Sequence, residues 1–168
     1  NALPAGERGE LIIRGTSVFR GYWNRPDANA DTFVDESWMR TGDVAYLDAD
    51  GYLFIVDRIK DLVIRGGENI GCGEVEAALL EHPLIQEASV YAIPDERLGE
   101  AVGATIYAEA SVDETDLNTF LASRLAKFKI PAYLWQSEAP LPRTASGKIL
   151  KRQLREESIN SLGVQAAG

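Results

Sequence analysis

The residue best suited by type and setting to meet an anion is Lys148, at the end of Leu141-Pro-Arg-Thr-Ala-Ser-Gly-Lys148. Small, turn-prone residues of this kind predict an exposed, mobile loop, and an ammonium on it is a compact charge suited to phosphate. Arg143, Lys151, Arg152 and Arg155 surround it, with no acid between residues 139 and 155. The plainer alternative is a solvated, basic start to a helix. Asp43, in Arg40-Thr-Gly-Asp43, is a short acid just after a glycine at the mouth of a strand. Such a carboxylate accepts two hydrogen bonds from a vicinal diol such as a ribose, or else it stabilises a turn. Arg58 ends the second strand of a hairpin and can face the same pocket, offering a fixed fork of donors to ribose or phosphate. Its alternative is a surface pair with Asp57 or Asp61. Gly66-Gly67-Glu-Asn69 reads as a turn whose missing side chains admit another backbone or a thin ligand, or as a plain tight turn before a helix. Its spacing fits neither common phosphate-binding glycine fingerprint. Cys72 and His82 have no sequence partners that complete a dyad or a metal set, so no metal site is expected in the chain.

Composition narrows the partners. The chain has 168 residues, 45% of them hydrophobic, which is enough to build a core and argues against disorder. Seventeen basic against 26 acidic residues give a formal charge of −9, opposing general nucleic-acid binding, whose affinity comes from neutralising phosphates. The lone cysteine excludes an internal disulfide and fits a reducing compartment, so a cytoplasmic location is expected. No apolar run of 18 residues is present to span a membrane.

The elements that must hold these residues predict an α+β chain in two unequal parts. Residues 1–58 read as β-rich. A strand is expected at 10–14, a short helix from Pro26 to Thr32, and a hairpin in which Val44–Leu47 and Tyr52–Val56 flank Asp48-Ala-Asp-Gly51. Residues 59–61 form a hinge within the charged crossing Asp57-Arg58-Ile-Lys60-Asp61. Residues 62–159 read as a small domain, a mainly antiparallel sheet flanked by helices. Its strands are expected at 62–65, 85–93, 102–109 and 132–136. Its helices are expected at 73–81, at 114–126 behind an Asp113 cap, and from about 149. Residues 160–168 read as a frayed tail. The start, Asn1-Ala-Leu-Pro, reads as mid-protein, so the chain is expected to be a fragment that is inactive alone.

In order along the chain, Gly6-Glu-Arg-Gly-Glu-Leu11, Gly21-Tyr22, Arg40-Thr-Gly-Asp43, Asp57-Arg58-Ile-Lys60-Asp61, Gly66-Gly-Glu-Asn-Ile70, Glu74-Val-Glu76 and Pro142-Arg-Thr-Ala-Ser-Gly-Lys148 resemble the C-terminal portion of the AMP-forming acyl-CoA synthetases. That superfamily also includes luciferases and peptide-synthetase adenylation domains. The resemblance implies an acid–CoA ligase that adenylates a carboxylic acid with ATP and passes the acyl group to CoA. It implies Lys148 as the catalytic lysine of adenylation, Asp43 and Arg58 at the ribose, and Asn69 near the nucleotide. It also implies Gly66 and Gly67 along the pantetheine path and Lys60 as the hinge residue. Residues 1–58 would close a large adenylation domain and the rest would be its small mobile partner. Magnesium (Mg2+) ligands would lie mostly outside the chain, and Lys148 would suit a lysine acetyltransferase. A peptide-synthetase adenylation domain and a non-catalytic module of the same fold are the alternatives.

Overall fold

The computed structural model describes residues 3–35 and 37–163. It divides into two compact units, Asn1–Lys60 and Asp61–Gly168.

The first unit is a three-stranded antiparallel sheet in the order β1-β2-β3, with β1 Gly9–Ile13, β2 Met39–Leu47 and β3 Leu53–Arg58. Helix α1, Pro26–Thr32, starts on a proline, whose fixed φ suits a first helical turn. The β2–β3 turn is fixed by one carboxylate: Asp48 Oδ1 accepts the N–H groups of Asp50 and Tyr52 at 3.0 and 2.8 Å. Among the described residues Ala45 is the one buried hydrophobic side chain of this unit. So small a sheet has no core of its own.

The second unit carries a five-stranded sheet. Strands β4 Leu62–Arg65, β5 Glu68–Gly71, β6 Glu87–Asp95 and β7 Gly99–Tyr107 lie in the order β5-β4-β7-β6, and β8 Tyr133–Ser137 runs parallel to β7. Helices α2 Cys72–Leu80, α3 Glu114–Ala122 and α4 Lys151–Ser161 complete it. The α+β class and the antiparallel bias expected from sequence are present. Alternation along β6 sets the layers. Ala88 and Val90 join Val75 and Leu79 of α2 and Leu117 and Leu121 of α3 in one core. Tyr91 and Ile93 face the other way, against Leu154 and Ile159 of α4. Asp113 caps α3 as expected, accepting from Thr115 and Asp116 N–H.

Three differences have local causes. β5 was not anticipated, because Glu-Asn-Ile-Gly shows no apolar alternation; its pairing with β4 supplies what its composition lacks. α3 stops at Ala122, where Ser123 turns its hydroxyl back onto the Phe120 carbonyl. α4 runs through Ser161, and residues 164–168 of the expected tail lie outside the described residues.

α4 is bolted to the sheet by buried hydroxyls. Tyr91 OH bonds both Thr105 Oγ1 and Ser158 Oγ, the latter at 2.7 Å. Burial pushes the Tyr91 phenol up from its ordinary pKa, the bonds to Ser158 and Thr105 oppose this, and the Glu157 charge adds to it. Tyr91→Phe leaves two buried hydroxyls short of a partner, so urea denaturation of the chain should show a loss of about 1–3 kcal/mol. An unchanged midpoint would mean that Thr105 and Ser158 re-pair without the phenol.

Candidate functional site

In the first unit a β-bulge decides what faces Asp43. From Leu47↔Leu53 to Ala45↔Ile55 the β2–β3 register is regular, but it shifts between Val44 and Ala45. Continued without the shift, that register would set Asp43 opposite Asp57; with it, Asp43 faces Arg58. A like-charge pair is thereby replaced by an ion pair, Arg58 Nε donating to Asp43 Oδ1 at 3.0 Å. The Asp43 side chain is 18% exposed and that of Arg58 66%, so the pair orients groups more than it stabilises the fold. Thr41 holds the strand end, donating to the Leu11 carbonyl and accepting the Asp43 N–H. Asp43 Oδ2 accepts no hydrogen bond among the described residues and is left for a donor from outside. Asp57 accepts the Arg58 backbone N–H at 2.7 Å.

Lys60 lies exposed in a single 3₁₀ turn, Ile59–Asp61, and is the last residue of the first unit. Gly66 and Gly67 form the two-residue turn of the β4–β5 hairpin, with φ of +60° and +91°. Both values favour glycine whatever ligand passes by. The backbone that approaches them belongs to the same chain, Gly66 N–H reaching the Leu98 carbonyl at 2.8 Å. Asn69 is exposed on β5, opposite Ile64.

The Lys148 loop is exposed, as its composition predicts, but it is closed rather than slack. Arg143 bridges to Ile149, Thr144 N–H donates to the Lys148 carbonyl at 2.8 Å, and Lys148 N–H donates to Thr144 Oγ1 at 3.1 Å. Lys148 Nζ is solvent-facing and has no partner among the described residues.

The other cations around Lys148 each have a partner, and for Arg143 and Lys151 the partners are acids distant in sequence. Arg143 pairs with Glu87 at 2.9 Å, and Lys151 with Glu76 at 3.0 Å and Asp61 at 3.8 Å. Arg152 pairs with Glu156 at 2.8 Å, and Arg155 Nε donates to the Ala92 carbonyl. Burial pulls the Lys151 pKa down, but the charges of Glu76, Cys72 and Asp61 and the hydrogen bond to Glu76 outweigh it and leave it raised. Partial burial likewise pushes Glu87 up, yet the Arg143 hydrogen bond, the Leu141 N–H and the guanidinium charge hold it below the usual carboxylate range. Glu76 also accepts the Val90 N–H at 2.8 Å, so one carboxylate ties α2, β6 and α4 together. Sequence reasoning quoted Glu76 only within a motif and passed over Glu87 altogether; no local signal marks an acid whose partner stands 56 residues away. What remains is one unpaired ammonium on a braced loop.

Cys72 is buried at the start of α2, and His82 packs edge-on against Phe120. Among the described residues no group of three or more His, Cys, Asp or Glu is arranged to hold a metal ion. No helix among the described residues is long and apolar enough to cross a membrane.

Residues 74–148 match the C-terminal domain of AMP-binding enzymes, a match that ends on Lys148 itself. Over 158 residues the chain is 47% identical to the long-chain-fatty-acid–CoA ligase of Bacillus subtilis (strain 168), covering 92% of this chain and 28% of that protein. Residues 74–148 thus carry the C-terminal domain of AMP-binding enzymes. The fold agrees. The Bacillus subtilis o-succinylbenzoate CoA synthetase, solved with its acyl-adenylate intermediate, matches with a TM-score of 0.83 at 40% identity over 91% of this chain and 31% of that one. The same synthetase solved with ATP and a magnesium ion matches with a TM-score of 0.82, at 40% identity over 92% of this chain and 32% of that one. The chain therefore spans less than a third of the AMP-binding enzymes it resembles.

Proposed function

We propose that the chain is the C-terminal portion of an acid–CoA ligase that joins a carboxylic acid to CoA through an acyl-adenylate. The observation that carries this reading is Lys148: the one cation of its loop segment left without a partner among the described residues, on a hydrogen-bonded loop at the end of the family match.

In the first half-reaction a carboxylate oxygen bonds to the α-phosphorus of ATP and the bond to the β-phosphate bridging oxygen breaks, releasing pyrophosphate. Negative charge grows on the oxygens around phosphorus, and the Lys148 ammonium stabilises it there. Asp43 holds the ribose diol through the free Oδ2, while Arg58 fixes the carboxylate and reaches the ribose. Asn69 lies toward the nucleotide. In the second half-reaction the CoA sulfur bonds to the acyl carbon, the thiol proton passes to solvent, and AMP leaves. Gly66 and Gly67 then line the pantetheine path, where a turn without side chains leaves room, and Lys60 is the pivot between the two arrangements. Mg2+ would be held mostly by residues outside this chain. Lys148 is exposed enough for a lysine acetyltransferase, which would cancel its charge. A cytoplasmic location fits a chain with a single cysteine.

The test is a stoichiometry. The full-length enzyme carrying this chain, given ATP, Mg2+, CoA and a panel of fatty, aromatic and short-chain acids, should release AMP and consume CoA one for one with at least one acid. AMP release that loads a carrier-protein thiol and leaves CoA untouched would move the reading to a peptide-synthetase adenylation domain. No AMP release with any acid would leave a binding module.

A further inference from the structure

The loop that carries Lys148 hangs from one carboxylate. Glu87 opens β6, its side chain only 19% exposed. Its Oε2 accepts the Leu141 N–H at 2.7 Å, at the entry to the loop. Its Oε1 accepts Arg143 Nη2 at 2.9 Å, and Arg143 Nη1 donates to the Gly147 carbonyl at 2.8 Å. Glu87 thus fixes the loop entry at Leu141 directly and, through Arg143, the peptide unit that joins Gly147 to Lys148. The Arg143↔Ile149 bridge and the Leu150 N–H bond to the Pro142 carbonyl close the same ring from behind. Leu141, which leads into the loop, is buried against Tyr91 and Leu154, so the ring is mounted on core.

A lysine side chain has four rotatable methylenes and no partner here, so the only placement the protein controls is that of its backbone. A catalytic ammonium misplaced by about 1 Å can cost roughly a hundredfold in rate. We propose that Glu87 is a positioning residue for Lys148, acting through Arg143 and the Leu141 N–H to hold the loop in the geometry adenylation requires. The proposal rests on the adenylation role given to Lys148 above.

The test uses the full-length enzyme and separates the half-reactions. Acyl-AMP formation is followed by pyrophosphate exchange, and thioester formation from added acyl-AMP and CoA. Glu87→Gln keeps the size and one acceptor oxygen but loses the charge that holds Arg143; Arg143→Ala cuts the link to Gly147 at a half-exposed site. Each is measured alone and together with Lys148→Ala, and melting temperatures are recorded. Glu87→Gln and Arg143→Ala are each expected to lower kcat for adenylation about tenfold, with KM for ATP and acid and the thioester step unchanged. Combined with Lys148→Ala, neither should cause any further loss, because a residue that acts through the lysine has nothing left to act on. If Glu87→Gln fails to fold, Arg143→Ala decides alone. Full-speed adenylation by both single variants, an equal loss in both half-reactions, or the same loss in the Lys148→Ala background overturns the clamp while leaving a slow Lys148→Ala intact. Normal adenylation by Lys148→Ala overturns the reading beneath it, and the clamp with it.

Discussion

Lys148→Ala in the full-length enzyme is expected to slow acyl-AMP formation by about 10²–10³, and to turn added acyl-AMP and CoA into thioester at a near-normal rate. The size follows from what the ammonium does. As the carboxylate attacks, charge accumulates on the oxygens around the α-phosphorus, so a fixed cation binds the transition state more tightly than the ground state. Losing one such preorganised group costs about 2.7–4 kcal/mol. The selectivity follows from its freedom. Lys148 Nζ has no partner among the described residues, so its removal breaks no ion pair and leaves no buried group unsatisfied, and the fold loses nothing that the second half-reaction needs. Lys148→Arg should recover little, because a planar fork does not replace a compact ammonium against a crowded phosphate. Rapid-quench measurement of acyl-AMP in single turnover is the direct readout. Adenylation by the alanine variant within a few-fold of wild type would reduce Lys148 to a solvated loop lysine.

What the sequence made legible was what is local. Asp48 writes its own turn within the four residues that follow it, Asp113 caps α3 from the preceding position, and Pro26 opens α1; each needs nothing from afar. The Lys148 loop was legible as a place for the same reason, since Pro, Thr, Ser and Gly specify a turn wherever they fall. Its electrostatics were not. A window of the chain reads as a basic cluster, whereas folding delivers Glu87 and Glu76 into it and pairs them with Arg143 and Lys151. That Asp43 and Arg58 bond to one another was not legible, because it depends on a one-residue bulge that neither strand announces. β5 was missed because four residues with one buried side chain, Ile70, carry no periodicity, and its partner strand alone makes it a strand.

Lys60→Pro is expected to depress one half-reaction far more than the other, and the structure sharpens the reason. The connector between β3 and β4 is a single 3₁₀ turn, Ile59–Asp61, and the division between the compact units falls between Lys60 and Asp61. A large change of direction in so short a connector must be absorbed by the dihedrals of one or two residues. A 3₁₀ turn has φ of about −50 to −70°, a range that includes the value of about −65° at which proline is fixed. Proline at position 60 therefore accepts the turn seen here and opposes any arrangement that needs another φ, although it also pushes Ile59 away from helical angles. Strain of about 1–3 kcal/mol placed on one arrangement alone corresponds to a selective loss of about 5- to 150-fold. Lys60→Ala removes the charge but leaves φ free, and it should spare both steps if the backbone is what matters. The measurement is the same pair of half-reactions, made on wild type, the alanine variant and the proline variant side by side. Equal losses in both steps for proline, or none, would place the pivot at another residue. An alanine variant as selective as proline would instead assign the effect to the Lys60 ammonium.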